Sequence, residues 1–209
     1  MMRLAILGAS GHGKVVADTA VSAGWNDVVF FDDAWPGVTW NGIWPVVGST
    51  GDLISQRGDF DGVVVGIGNN STRAVLQRKL MVAELNIVSV FHPSAVISTH
   101  AHVGSGVVVF ANAVINAFAQ VGAGSIINTG AVVEHDCSIG DFCHVSPNAV
   151  LAGGVSTGFQ VWVGAGASVK QLIHLGNEVT VGMGSVVLHD VPEGQTVAGV
   201  PASPIFSQD

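Results

Sequence analysis

His135 stands between two carboxylates in the run Glu134-His135-Asp136. A histidine near its unperturbed pKa of about 6.5 can take a proton from an attacking nucleophile at neutral pH. A carboxylate on its other ring nitrogen fixes the tautomer and stabilises the imidazolium that forms. Either neighbour is a candidate for that role. A second histidine, His144, follows nine residues later. A base of this kind needs no covalent nucleophile, and neither Cys137 nor Cys143 is placed as one. His100-Ala101-His102 puts two imidazoles at i and i+2, a spacing that a metal could use, but no third ligand has an obvious spacing.

These residues must be positioned by a repeat. From Ile97 onward a large aliphatic falls on every sixth residue: Ile97, Val103, Val109, Ile115, Val121, Ile127, Val133, Ile139, Val145 and Leu151, then Val163, Val169, Leu175, Val181 and Val187. Only Thr157 breaks the register. Two positions before each beat the residue is often small, as at Ala113, Ala131, Cys137, Cys143 and Ala149. A period of six is neither helical nor that of a flat strand, and a hexapeptide β-helix accounts for it. The aliphatic fills the inside of a prism, the small residue leaves room for it, and glycine serves the corners. With three hexads per coil the sixteen beats make a little over five coils, a prism about 25 Å tall at the spacing of adjacent strands. Nine residues are half an eighteen-residue coil, so His135 and His144 of one chain face different sides. They can share a site only if one side belongs to a neighbour, which argues for a symmetric ring.

The first ninety residues keep a different rhythm. Arg3 to Leu7, Val28 to Phe31, Gly62 to Ile67 and Ile87 to Phe91 read as strands, and Lys14 to Ala23 and Ser71 to Glu84 as helices, the second capped by Ser71. Alternating strands and helices make a small α/β domain with a parallel sheet. We place this domain at 1–91 and the β-helix at 92–209. Between the first strand and helix lies Gly8-Ala9-Ser10-Gly11-His12-Gly13-Lys14, a glycine turn whose amides and helix start suit a phosphate. Asp32 and Asp33 end the second strand, where an acid can meet a ribose or base. The glycine order is G-x-x-G-x-G and the domain has room for about half a dinucleotide fold, so a mononucleotide or nucleotide-sugar is the better reading. Gly66-Ile67-Gly68-Asn69-Asn70 follows the central strand and would face the same crevice. Trp25, Trp35, Trp40 and Trp44 are read as packing for this small domain.

Composition narrows the partners. The formal net charge is −8, and after Lys79 the only basic residue is Lys170, against eight carboxylates. Nucleic acid would find no footprint there. Mean hydropathy is +0.53, yet no stretch approaches the roughly 20 apolar residues of a spanning helix, and nothing marks export. A cytoplasmic protein with two reduced, core-filling cysteines is expected.

Together the motifs resemble the two-domain hexapeptide sugar O/N-acyltransferases of the sialic acid acetyltransferase and bacillosamine/perosamine N-acetyltransferase type. The resemblance covers nearly the whole chain. It rests on Gly8-Ala9-Ser10-Gly11-His12-Gly13, Phe31-Asp32-Asp33, Ile67-Gly68-Asn69-Asn70, His92-Pro93-Ser94-Ala95, Asn128-Thr129-Gly130, Glu134-His135-Asp136-Cys137 and Gly199-Val200-Pro201-Ala202. It implies a Rossmann-like N-terminal domain, a left-handed β-helix, and a homotrimer with its site between neighbouring prisms. The implied reaction moves an acetyl group from acetyl-CoA to the amine of a nucleotide-linked amino sugar, with no metal. It makes His135 the general base and Asp136 its orienting acid. His144 and Gly153 become acetyl-CoA contacts, and Ser10, Gly11, His12, Asp32, Asp33 and Gly68 sugar-nucleotide contacts. CoA carries three phosphates and the β-helix one lysine, so its binding is expected to use backbone amides at Gly164, Ala165 and Gly182 with Lys170 for charge, and Trp162 could flank the pantetheine.

Other readings remain beside this one. Within the family the alternative is O-acetylation of a sialic acid or related sugar. Outside it stand a metal-dependent β-helix enzyme of the carbonic anhydrase kind, also trimeric, which would need three histidines to converge across an interface with His100, His102 and His135 the near-candidates, and a non-catalytic sugar-nucleotide binder.

Overall fold

A computed structural model of the chain describes residues 2–205, and these divide into two compact units, one ending at Pro93 and the other beginning at Ser94. In the first, β1 (Arg3–Leu7), β2 (Asp27–Phe31), β4 (Trp44–Gly48) and β5 (Gly62–Val65) pair in parallel in the order β4-β2-β1-β5, and β3 (Trp40–Asn41) adds antiparallel to β4. Helices α1 (Gly11–Ser22), α2 (Thr50–Ser55) and α3 (Asn70–Val82) connect these strands. β1, β2 and β5 are buried along nearly their whole length, which is why they read as unbroken apolar runs rather than alternating ones. One cluster gathers Leu7, Phe31, Leu53, Val65 and Leu80, while α1 turns Val16, Ala17 and Ala20 inward.

Several boundaries differ from the sequence reading. Helix α1 begins at Gly11 instead of Lys14, so the glycine turn is already its first turn. The cap of α3 is Asn69, whose side chain accepts from the Thr72 N–H at 2.9 Å, while the Ser71 hydroxyl donates to that same Asn69 oxygen. Asn is a stronger cap than its position behind a glycine made evident. The strand expected at Ile87 to Phe91 shrinks to a bridge from Ile87 to Val63 and the pair Val90–Phe91. The β3–β4 hairpin and α2 were not expected. Helix α2 is held by a capping box in which Ser49 and Asp52 satisfy each other's backbone. The tryptophans divide. Trp44 packs edge-on to Phe30 and Trp25 lies against Gly62, but Trp40 is 63% exposed and Trp35 39%.

The second unit is a left-handed parallel β-helix of three faces. On the first face Val96, Val114, Val132 and Val150 pair in series, so each coil is eighteen residues. The second carries His102, Gln120 and Ser138 in register, and the third Val108, Ile126, His144, Trp162 and Thr180. The beats fill the interior: Ile115, Val133, Leu151 and Leu175 are fully buried, with Ala113, Ala131 and Ala149 beside them. Cys137 and Cys143 are buried there with no disulfide between them, and burial pushes the Cys137 thiol pKa up. At the corners one residue in six turns left-handed, glycine at 124, 130, 154 and 166 but Asn112, Phe118, Asp136, Asn148 and Leu172 elsewhere. Thr157 replaces a ladder contact. Its hydroxyl accepts the Gly140 N–H at 3.0 Å and meets Cys143 Sγ at 3.4 Å, so the one polar beat is satisfied within the core.

Candidate functional site

The strand order of the α/β unit marks where a ligand crevice belongs. It reverses between β1 and β5, and in open α/β sheets ligands bind beyond the strand ends at such a reversal. The two turns leaving these strands are Gly8 to Gly13 and Gly66 to Asn70, and they pack directly on each other. A Cβ on Gly66 would lie 3.0 Å from the Gly13 Cα, and one on Gly13 would collide with the Gly8 carbonyl. Gly8 itself has φ +114°, which disfavours any side chain. The N-cap Ser10 makes no side-chain capping bond and α1 has no acid in its first turn, so the helix start can face an anion.

Each predicted N-terminal residue has a definite place. Ser10 and Gly11 are exposed at the helix start, and His12 is half-buried beside Gly68. Burial first, and then the Arg73 guanidinium, push the His12 pKa down to about 4, so its imidazole is neutral at physiological pH. Asp32 is engaged by the backbone through both of its oxygens. Its Oδ2 accepts the Ala9 N–H at 2.7 Å and its Oδ1 the Ala34 N–H at 2.9 Å, tying the glycine turn to the end of β2. Asp33 Oδ1 accepts the Thr50 N–H at 2.8 Å. Two supports were not foreseen. Asn41, buried in the hairpin, donates to the Ser10 carbonyl at 3.1 Å. Arg73, 1% exposed, donates to the carbonyls of Ile67 and Gly68, both at 3.0 Å, and to Asn70 Oδ1 at 2.8 Å.

The β-helix carries two separate constellations. At the corner between the first and second faces, His135 Nδ1 lies 2.7 Å from Asp136 Oδ2, and both side chains are more than 60% exposed. The Nδ1–H donates to the carboxylate, leaving Nε2 as the proton acceptor. This bond chiefly, with the nearby charges of Asp136 and Glu134, raises the His135 pKa. Glu134 does not hold the ring; its Oε2 accepts the His135 backbone N–H at 3.3 Å. Gly153 lies one coil along from His135, against the imidazole. Lys170, exposed, lies on the same corner one coil further.

The second constellation lies on the third face and its next corner. Asn128 accepts the Thr129 N–H on Oδ1, which turns its Nδ2 to donate to His144 Nε2 at 2.9 Å. His144 stacks on Trp162 with rings 6.3 Å apart and 20° from parallel, and Trp162 Nε1 donates to Ser146 Oγ at 2.6 Å. Gly164, Ala165 and Gly182 occupy the adjoining corner, but the amides expected to bind a cofactor are mostly committed. Gly164 N–H donates to the Val181 carbonyl and Gly182 N–H to that of Val197, both at 2.8 Å, as rungs of the ladder. Their glycines answer to coil spacing, since a Cβ on Gly164 would lie 2.6 Å from the Val181 oxygen.

His135 and His144 therefore sit on opposite sides of their own prism. His100 stacks on Phe118 and His102 lies on the second face, so the three histidines of the metal reading do not converge within one chain. Among the described residues no group of three or more His, Cys, Asp or Glu is placed to hold a metal ion, and no helix is long and apolar enough to cross a membrane.

Comparison with known proteins follows this division. Residues 3–80 match the PglD N-terminal domain, and residues 118–153 the bacterial transferase hexapeptide (six repeats). UDP-N-acetylbacillosamine N-acetyltransferase of Bacillus subtilis is 38% identical over 120 residues, 53% of this chain and 52% of that protein, so the match spans about half the length of this curated relative. Two solved structures are similar throughout. The acetyltransferase domain of PglB from Neisseria gonorrhoeae has a TM-score of 0.92 at 38% identity, covering 98% of this chain and 100% of that one. PerB from Caulobacter crescentus, in complex with CoA and GDP-perosamine, has a TM-score of 0.93 at 38% identity, covering 99% and 98%. With both halves matched in order and the likeness extending over the full chain, this protein belongs to the hexapeptide-repeat sugar acetyltransferases of the bacillosamine and perosamine N-acetyltransferase type.

Proposed function

We propose that this protein transfers the acetyl group of acetyl-CoA to the amine of a nucleotide-linked amino sugar. The observation that carries this reading is the His135–Asp136 pair at 2.7 Å on an exposed corner of a β-helix, in a chain similar end to end to an enzyme that holds CoA and GDP-perosamine together. His135 Nε2 takes a proton from the amine as its nitrogen attacks the thioester carbonyl. Asp136 stabilises the imidazolium, the tetrahedral intermediate collapses, and the thiolate of CoA leaves and is protonated. The nucleotide belongs to the crevice of Ser10, Gly11, His12 and Gly68, whose turn Asp32 braces while the adjoining Asp33 holds the start of α2. Acetyl-CoA belongs to His144 and the Gly164, Ala165 and Gly182 corner, with Lys170 as the one nearby cation of that unit.

The active form on this reading is a homotrimer. His135 with Lys170, and His144 with Trp162, lie on opposite sides of one prism, and a three-fold ring brings one side of each chain against the other side of its neighbour. A cytoplasmic location follows from the two soluble substrates.

The test is a panel of nucleotide-linked amino sugars with acetyl-CoA, read by thiol release, with a sialic acid included for the O-acetyl alternative. Thiol release with no amino sugar of the panel, or a catalytically active monomer by light scattering, would overturn the corresponding half of the proposal.

A further inference from the structure

Gly153 has no backbone reason to be glycine. Its neighbour Gly154 turns left-handed at φ +71°, whereas Gly153 has no such conformation. Gly153 occupies the second position after its beat, Leu151. Across the sixteen hexads from Thr99 to His189 every other residue at this position carries a side chain, among them Ala117, His135 and Gln171 of the same corner. The fold therefore accommodates a Cβ here, and the local reason for glycine lies in what it faces. A Cβ at 153 would stand 2.6 Å from both Cε1 and Nε2 of His135 and 3.3 Å from Cδ2. Contacts below 3.0 Å force one group to move, and the group that can move is an exposed side chain, not the coil.

We infer that Gly153 is a positioning residue for the base: the missing side chain lets the His135 imidazole lie against the next coil in the one orientation that joins Nδ1 to Asp136. This assigns Gly153 a role apart from any contact with acetyl-CoA, and it rests on the acetyl-transfer reading only for its kinetic consequence. A methyl group at 153 swings the ring aside and breaks the Nδ1 bond, while the ladder and the prism interior, which the ring does not touch, remain intact.

The experiment is Gly153→Ala, measured first without substrates. NMR titration of the full-length protein should show the His135 pKa falling toward its ordinary value, because the Asp136 bond is the main cause of its elevation. Thermal unfolding should be unchanged. In turnover, kcat should fall roughly tenfold or more, up to but not beyond the roughly 10²- to 10⁴-fold that a positioned base contributes, while both KM values stay within about twofold. An unmoved His135 titration with only the acetyl-CoA KM raised would make Gly153 a cofactor contact and overturn the inference. Should the variant fail to fold, the wild type still decides. An NOE from His135 Hε1 to Gly153 Hα is expected, and its absence is equally fatal. Both NMR readings stand whether or not the sugar substrate is the one proposed.

Discussion

Asp136→Asn separates the charge of the orienting acid from its shape. Asp136 occupies a left-handed corner at φ +60°, and the equivalent corners Asn112 and Asn148 already hold asparagine at φ +59° and +57°. The substitution therefore adds no backbone strain, whereas alanine would. It retains an oxygen able to accept the Nδ1–H bond but removes the carboxylate that raises the His135 pKa. A base works only when deprotonated, so the wild-type acid limb of kcat/KM lies above the histidine's ordinary 6.5, and in the variant it moves to lower pH. The rate loss is accordingly greatest at high pH, where both enzymes hold a neutral base and only the wild type stabilises the imidazolium. It narrows as pH falls, since the wild type loses its base first. Its size is bounded by His135→Ala, for which a kcat loss of about 10²- to 10⁴-fold with little change in KM is expected. The assay is thiol release across pH 5.5–9 with saturating and limiting sugar, controlled for titration of the sugar amine. An acid limb that stays put, or moves to higher pH, would refute the assignment of Asp136.

Three further substitutions probe the remaining parts. Asp32→Ala releases the Ala9 amide and should raise the sugar-nucleotide KM while leaving that of acetyl-CoA almost unchanged; equal damage to both would remove the nucleotide from this crevice. Arg73→Met deprives the Ile67 and Gly68 carbonyls and Asn70 of their donor, so the same KM should rise. His12, read by NMR, should then titrate above about 4 yet still below 6.5, because burial is the larger cause of its shift. Thr157→Val keeps the side-chain shape but strands the Gly140 N–H, at a stability cost of about 1–3 kcal/mol visible as a lower melting temperature, with kinetic constants unaffected.

The β-helix was legible almost residue by residue because its physics is periodic. A beat of six, with three beats per coil, already implied that Val114 lies beside Val132 and that His135 and His144 look away from each other. The α/β unit was legible only where burial on both faces produced continuous apolar runs, as in β1, β2 and β5. The β3–β4 hairpin was missed because its two strands carry tryptophans that remain partly or largely exposed, so no alternation marks them. Arg73 was missed for the opposite reason. A basic residue on a polar helix reads as solvated, and nothing local tells that two glycine-turn carbonyls six and five residues earlier will draw it inside.

The site shows the same division more sharply. Contact along the chain was visible, since Asp136 adjoins His135, but which of its two acidic neighbours reaches Nδ1 was not. The left-handed turn at 136 puts that carboxylate beside the ring and leaves Glu134 on the backbone amide. Contact between coils becomes visible only once the coil length is known. Adding eighteen to 135 lands on Gly153, and the residue there bears on the base although eighteen positions of sequence separate them. The backbone amides of Gly164 and Gly182 show the reverse case. Glycines at a corner invite an anion-binding reading, yet their N–H groups are consumed by the ladder that builds the corner. In a solenoid, then, a glycine is assigned by asking first whether φ requires it, next whether the adjoining coil requires it, and only then whether a ligand does. Gly154 answers at the first step and Gly164 at the second; Gly153 also answers at the second, but there the neighbour is the imidazole proposed as the base.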